Sequence, residues 1–157
     1  SFAAPVAATP LLFAGGQWVA LERSGTCEAA SRSLRIAQKG KVQARAGFAF
    51  DVNGARRGQF FAELSRVPRV GSTVILTVGT QPFMLATNGY WAWSRDPRQE
   101  ATIIAAVRAA TGMRVDSRDA SGRRFVDRYL LGGAPTAIDA AAARCASATL
   151  AKSRRNN

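Results

Sequence analysis

Three turn signals constrain this chain more than anything else in it. Asn53-Gly54, Asn88-Gly89 and Asp119-Ala120-Ser121-Gly122 each lie between two short runs of apolar and β-branched residues. An Asn-Gly pair in that setting marks a hairpin, because both residues tolerate the positive φ that a two-residue type I′ loop demands. Strands joined by such short loops pair antiparallel with their neighbours in sequence. Around Asn53-Gly54, Ala44, Ala46, Phe48 and Phe50 alternate with other residues, a period of two that marks a half-buried strand. The register there sets Asp51 opposite Arg56, and the return strand runs over 59–64 until Pro68 stops it. Around Asn88-Gly89, Met84 faces Trp93 and Ala86 faces Trp91, so both tryptophans share one face of the sheet. Those small and apolar partners make that face the core, whereas exposure would free the rings to stack on bases or sugars. Around the third signal a four-residue loop joins strands over 113–117 and 125–131 and sets Asp127 opposite Arg114.

The remaining segments follow the same logic. A strand is predicted over 17–22, and 27–38 is ambiguous, with Leu34 and Ile36 alternating against Arg35. The β-branched run within 70–79 reads as a buried central strand. One helix begins at Asp96 as N-cap, with Pro97 in the first helical position and Gln99 completing a capping box, and ends at Gly112 in the left-handed conformation. A second starts with Thr136 as N-cap and Asp139 three residues on, and points Ile138, Ala141, Ala142 and Cys145 at the body of the protein. The fold class is therefore mainly β with two helices (α+β), an antiparallel β-sandwich or collapsed barrel with edge helices. Residues 1–14 read as a flexible N-terminal arm, 15–150 as one sandwich-like domain and 151–157 as a frayed basic tail.

Compartment is read from the cysteines. At 157 residues the chain is long enough to bury a core without a metal. Its two cysteines, Cys27 and Cys145, lie far apart, which fits one long-range disulfide of the kind that persists in the periplasm or outside the cell. The alternative is two separate buried thiols. No stretch of the sequence is long and apolar enough to span a membrane. The opening at Ser1 reads like the start of an exported chain after signal-peptide removal.

The chemistry available is narrow. The chain has no histidine, so Ser-His-Asp and Cys-His nucleophilic sites are excluded. There is no CxxC pair, no phosphate-binding glycine loop and no Ser-x-x-Lys site, and no cofactor or metal is expected. A carboxylate-dependent glycan hydrolase needs two of Glu63, Asp116 and Asp127 around one cleft. What remains is charge. Against 10 acidic residues stand 22 Lys and Arg, for a formal net charge of +12, mostly as arginine, whose planar fork of donors suits carboxylate and phosphate. Arg56 and Arg57 flank the first turn, and Arg114, Arg118, Arg123, Arg124 and Arg128 crowd the third. Arg56, Arg57, Arg114, Arg118, Arg123 and Arg124 are the anion-binding candidates. The same charges also serve solubility and protect exposed strand edges.

The run Gly71-Ser72-Thr73-Val74-Ile75-Leu76-Thr77-Val78-Gly79 is followed by Pro82-Phe83, a short helix, Tyr129-Leu130-Leu131-Gly132-Gly133 and an Ala-rich helix. With the early Gln17-Trp18-Val19 segment, this order resembles the invasion-associated locus B family of exported bacterial proteins over about residues 15–146. The chain departs from that family in its cysteines, most of which are absent here. The resemblance implies a periplasmic or surface β-sandwich and transfers no catalytic residue. The expectation is thus an exported, non-enzymatic binding or envelope-associated protein whose partners are an anionic envelope component or an acidic protein. The alternatives are an intracellular nucleic-acid-binding protein, which needs free thiols and an exposed Trp91 or Trp93, and the glycan hydrolase.

Overall fold

The structure, a computed structural model, describes residues 10–157. Ten strands and two helices follow one another as β1 (Leu11–Gly15), β2 (Trp18–Arg23), β3 (Thr26–Arg32), β4 (Arg45–Asp51), β5 (Arg57–Glu63), β6 (Val74–Val78), β7 (Gln81–Asn88), β8 (Trp91–Trp93), α1 (Pro97–Ala109), β9 (Gly112–Arg118), β10 (Arg124–Leu130) and α2 (Ala134–Arg155). All strand pairs are antiparallel, in the order β1-β2-β3-β4-β5-β8-β7-β6-β9-β10. The α+β, mainly antiparallel architecture read from the hairpin signals is the one observed.

One face of this sheet supplies a continuous core. Trp18 and Ala20, Cys27 and Ala29, Phe48, Phe60, Leu76, Val115 and Tyr129 are buried on successive strands, and Ile103 and Val107 of α1 join them. Each large side chain so buried contributes about 1.5–3 kcal/mol. Helix α2 packs on the same face across β1 to β4, with Ala134, Ala137, Ile138 and Ala141 turned inward. Small side chains let its backbone lie close, and Cys145 reaches Cys27 to form a disulfide with a Cα–Cα distance of 5.9 Å. The two ends of the sheet also meet. Trp18 Nε1–H donates to Leu130 O at 2.8 Å, and the β1–β2 turn abuts Gly132-Gly133 so tightly that a Cβ on Gly133 would stand 2.3 Å from Gly15 O.

Several local expectations are corrected. The second hairpin turns at Gly89-Tyr90, not Asn88-Gly89, so Ala86 faces Trp93 and Asn88 faces Trp91. Only Gly89 takes a positive φ (+59°), the pattern of a turn that needs glycine at its first central position. Both tryptophans still share a face, but it is the outer one: Ala92 between them is buried and Trp91 is exposed. The third hairpin has a three-residue loop, closed by Asp119 N–H to Arg123 O, with Gly122 at φ +82°. Removing one residue from the loop shifts the register by one, and that sends Asp127 to the core side. Asp127 then faces Val115, and Arg114 faces Arg128.

The helix ends differ as well. Asp96 caps α1 as expected, its carboxylate accepting from Gln99 N–H at 2.8 Å while Arg95 N–H donates to Gln99 Oε1 at 2.8 Å. Its C-cap is Ala110 in extended conformation, because Gly112 already opens β9. Helix α2 is capped by Gly133 at φ +90° with Pro135 in the first turn, so Thr136 is inside the helix and is not its cap. Asp139 instead pairs with Arg108 of α1 at 2.6 Å. The helix continues to Arg155, through most of the segment expected to fray. At the other end, 11–14 of the expected arm belongs to β1, and its first nine residues lie outside the described part.

Candidate functional site

The outer face of the terminal hairpin concentrates uncompensated charge. A strand projects alternate residues to one side, so burying Met113, Val115 and Ser117 turns Arg114, Asp116 and Arg118 outward. On β10, burying Phe125, Asp127 and Tyr129 turns Arg124, Val126 and Arg128 outward. The register then sets Arg114 opposite Arg128 and Arg118 opposite Arg124. Like charges directly opposed across strands are unfavourable. The acid between them, Asp116, pairs with Arg124 at 3.3 Å.

The hairpin tip extends this face. Arg123 is exposed, and Arg118 donates to Gly122 O at 3.0 Å. The 65–73 loop is bridged to the tip through Pro68 and Asp119 and through Arg69 N–H to Arg118 O, which brings Arg69 beside Gly122 and pairs Arg66 with Asp119. Asp119 organises the tip by accepting from Ser121 Oγ–H at 2.6 Å, from Arg66 at 2.7 Å and from the Arg123 N–H at 3.1 Å. These bonds, the Ser121 hydroxyl first and Arg66 next, lower its pKa to about 2.

The sequence candidates fall into two groups, with β8, β7 and β6 between them. Arg114, Arg118, Arg123 and Arg124 belong to the terminal hairpin. Arg56 and Arg57 stand at the β4–β5 turn. The Arg56 guanidinium grips Asp51 through Nε at 2.7 Å and a second nitrogen at 2.9 Å, the cross-strand pair expected from Asn53-Gly54. That contact holds the Asp51 carboxyl below its ordinary range and raises Arg56. Arg57 is exposed and lines a depression of about 690 Å³ against α1, with Glu100 and Arg108. Arg128 completes the charged face and Arg69 adjoins its tip, neither having been among the candidates. Arg128 belongs to the arginine cluster that the sequence shows at the third turn, and the register places it opposite Arg114; Arg66 and Arg69 come from a loop whose docking onto the hairpin leaves no local pattern.

The three carboxylates weighed for glycan hydrolysis have separate surroundings. Glu63 faces outward beside Arg45 at 3.5 Å, and Asp116 beside Arg124. Asp127 is buried and accepts from Ser65 N–H at 3.0 Å. Burial pushes its carboxyl above the usual range, with Ser65 partly offsetting the shift. Among the described residues no cluster of three or more acids or cysteines is placed to hold a metal ion. Among them, too, no helix is long and apolar enough to cross a membrane.

A second feature lies on the outer face of β3, β4, β5 and β8. Here Arg45 sits 5.3 Å from the centre of the Phe61 ring and 5.4 Å from that of Trp91. A groove of about 510 Å³ runs beside them, lined also by Glu28, Gln59, Asn88 and Trp93. No family model, no curated protein and no solved structure matches this chain.

Proposed function

We propose that this is an exported, non-enzymatic binding protein that docks on an anionic envelope component through the β9–β10 face. The observation that carries the reading is the pair of opposed arginine couples, Arg114 with Arg128 and Arg118 with Arg124. A chain gains nothing in its own stability from facing guanidiniums, whereas a phosphate or carboxylate between them accepts hydrogen bonds from both. The resemblance to invasion-associated locus B proteins supports the same compartment. So does the Cys27–Cys145 bridge, which joins α2 to β3 and suits an oxidising space. An intracellular nucleic-acid role would have to forgo that bridge.

The test is binding to lipopolysaccharide, phosphatidylglycerol vesicles, an acidic polysaccharide and single-stranded DNA, at low and physiological salt. Charge attraction alone weakens steeply as salt rises. Retention of one envelope ligand at physiological salt, and its loss when Arg114, Arg118, Arg123 and Arg128 are all changed to Gln, supports the reading. Equal binding by that variant contradicts it.

A further inference from the structure

The groove beside Trp91 differs in kind from the charged hairpin. Trp91 and Trp93 stand two apart on β8, so both project from the outer face, and Trp91 keeps 39% of its surface exposed. Trp91 opens β8 directly after the tight Gly89-Tyr90 turn, in a strand paired on both sides, and its ring, held beside Arg45, offers a fixed apolar stacking surface. Its neighbour is fixed too. The Phe61 ring lies over Gly47, where an added Cβ would stand 2.1 Å from Ala29 O and 2.9 Å from the ring, so the backbone of β3 and the ring both hold that position to glycine.

The charges around it are already matched. Arg45 is bound to Glu28 at 2.9 Å and to Glu63 at 3.5 Å, and Arg56 is bound to Asp51 at 2.7 Å. Two guanidiniums therefore face three carboxylates, in a chain whose net charge is +12. This balance decides the class of ligand. A nucleic acid or other polyanion needs uncompensated cations, and this groove offers none. A cationic ligand would seek the slot between Phe61 and Trp91, and the guanidinium of Arg45 fills it. An uncharged ligand with one apolar face and a rim of hydroxyls fits what is left. Its carbon-bound hydrogens can lie on the Trp91 indole, while the amides of Gln59 and Asn88 and the free lone pairs of Glu28 meet its hydroxyls. The groove's volume of about 510 Å³ is in the ordinary range for a small-molecule site.

We propose that the Trp91 groove binds an uncharged pyranose unit of a glycan. The site is independent of the arginine face, so either reading can fail alone.

The experiment titrates the oxidised full chain with neutral oligosaccharides (cellotriose, maltotriose, mannotriose and tri-N-acetylchitotriose), measuring affinity by calorimetry in the parent and every variant and following the Trp91 indole N–H resonance wherever Trp91 is present. Short oligothymidylate and tetramethylammonium serve as the competing classes. At least one neutral saccharide is expected to shift that resonance saturably, with an affinity indifferent to salt. Trp91→Ala is expected to weaken it by about tenfold, equivalent to about 1.4 kcal/mol. Trp91→Phe should restore most of the loss, since a ring is regained, and this separates stacking from a folding defect. The Arg114→Gln/Arg128→Gln variant should bind the saccharide normally. The proposal is overturned if no neutral saccharide moves the resonance up to its solubility limit. It is overturned equally if only the oligonucleotide or the ammonium ion moves it, or if Trp91→Ala binds as well as the parent.

Discussion

Arg114 and Arg128 stand directly opposite each other on the outer face of the terminal hairpin. Neither is among the arginines paired with a carboxylate among the described residues. If this opposition serves binding, it costs some stability in the free protein. Arg128→Gln is therefore expected to raise the stability of the unliganded chain by about 0.5 kcal/mol at low salt, with a smaller gain at high salt as screening weakens the repulsion. Urea unfolding at two ionic strengths checks this. A loss of stability on substitution would mean that Arg128 has a structural partner.

The Cys27–Cys145 bridge spans 118 residues of sequence and joins the Ala-rich face of α2 to β3. Small side chains supply little apolar area, so α2 depends on the cross-link more than a Leu-rich helix would. Reduction, or Cys27→Ser with Cys145→Ser, is expected to cost about 2–5 kcal/mol. Hydrogen exchange should then show the amides of α2 opening before those of β4 and β5. Coincident exchange across the whole chain would show that the helix is held by packing alone.

Asp127 gives a pH signature with an unusual sign. Burial raises its folded pKa above the ordinary 3.8, so the folded state holds this proton more tightly than the unfolded chain. Its contribution is most favourable below the unfolded value and is lost as pH rises through the folded one. Asp127→Asn keeps an oxygen that can accept from Ser65 N–H without the charge. The variant should gain stability over the parent at neutral pH, and the gap should close as pH falls toward 4. A gap that widens on acidification would contradict this placement of the carboxylate.

Asp119 behaves oppositely. The Ser121 hydroxyl, Arg66 and two backbone N–H groups favour its charged form and set its pKa at about 2. Its contribution to ordering the hairpin tip is present above the unfolded value of 3.8 and is lost as pH falls through about 2. Amide shifts of Ser121 and Arg123 should titrate together near that pH. Titration near 4 would show that the tip is not organised by this carboxylate.

Much of the fold was legible because hairpins carry local signals. Asn53-Gly54 gave the Asp51–Arg56 pair, although the loop between them spans 52–55 with a positive φ at Gly54 alone and is not the expected two-residue type I′ turn, and Asp96-Pro97 with Gln99 gave the start of α1. The errors came where one residue decides parity. Moving the turn from Asn88-Gly89 to Gly89-Tyr90 keeps the same residues on a common face but changes their partners. Shortening the Asp119 loop by one residue exchanges the faces of a strand: it moved Asp127 from beside Arg114 to the core and set Arg128 opposite Arg114 instead. Which side of β8 is buried depends on where the helices pack, and no pattern within Trp91-Ala92-Trp93 encodes that. The groove and the docking of Arg66 and Arg69 are tertiary for the same reason: their members come from segments that nothing local links.

The most direct test of the arginine face is the salt dependence of binding to phosphatidylglycerol vesicles, measured for the parent chain and for Arg114→Gln/Arg128→Gln. If both guanidiniums contact phosphate, the variant's affinity should fall by about 1 kcal/mol for each lost cation, and its salt dependence should become shallower. The variant should stay folded, with the Cys27–Cys145 bridge intact. An unchanged slope and affinity in the double variant would contradict the face as the docking surface and leave the net charge of +12 as a general property of the surface.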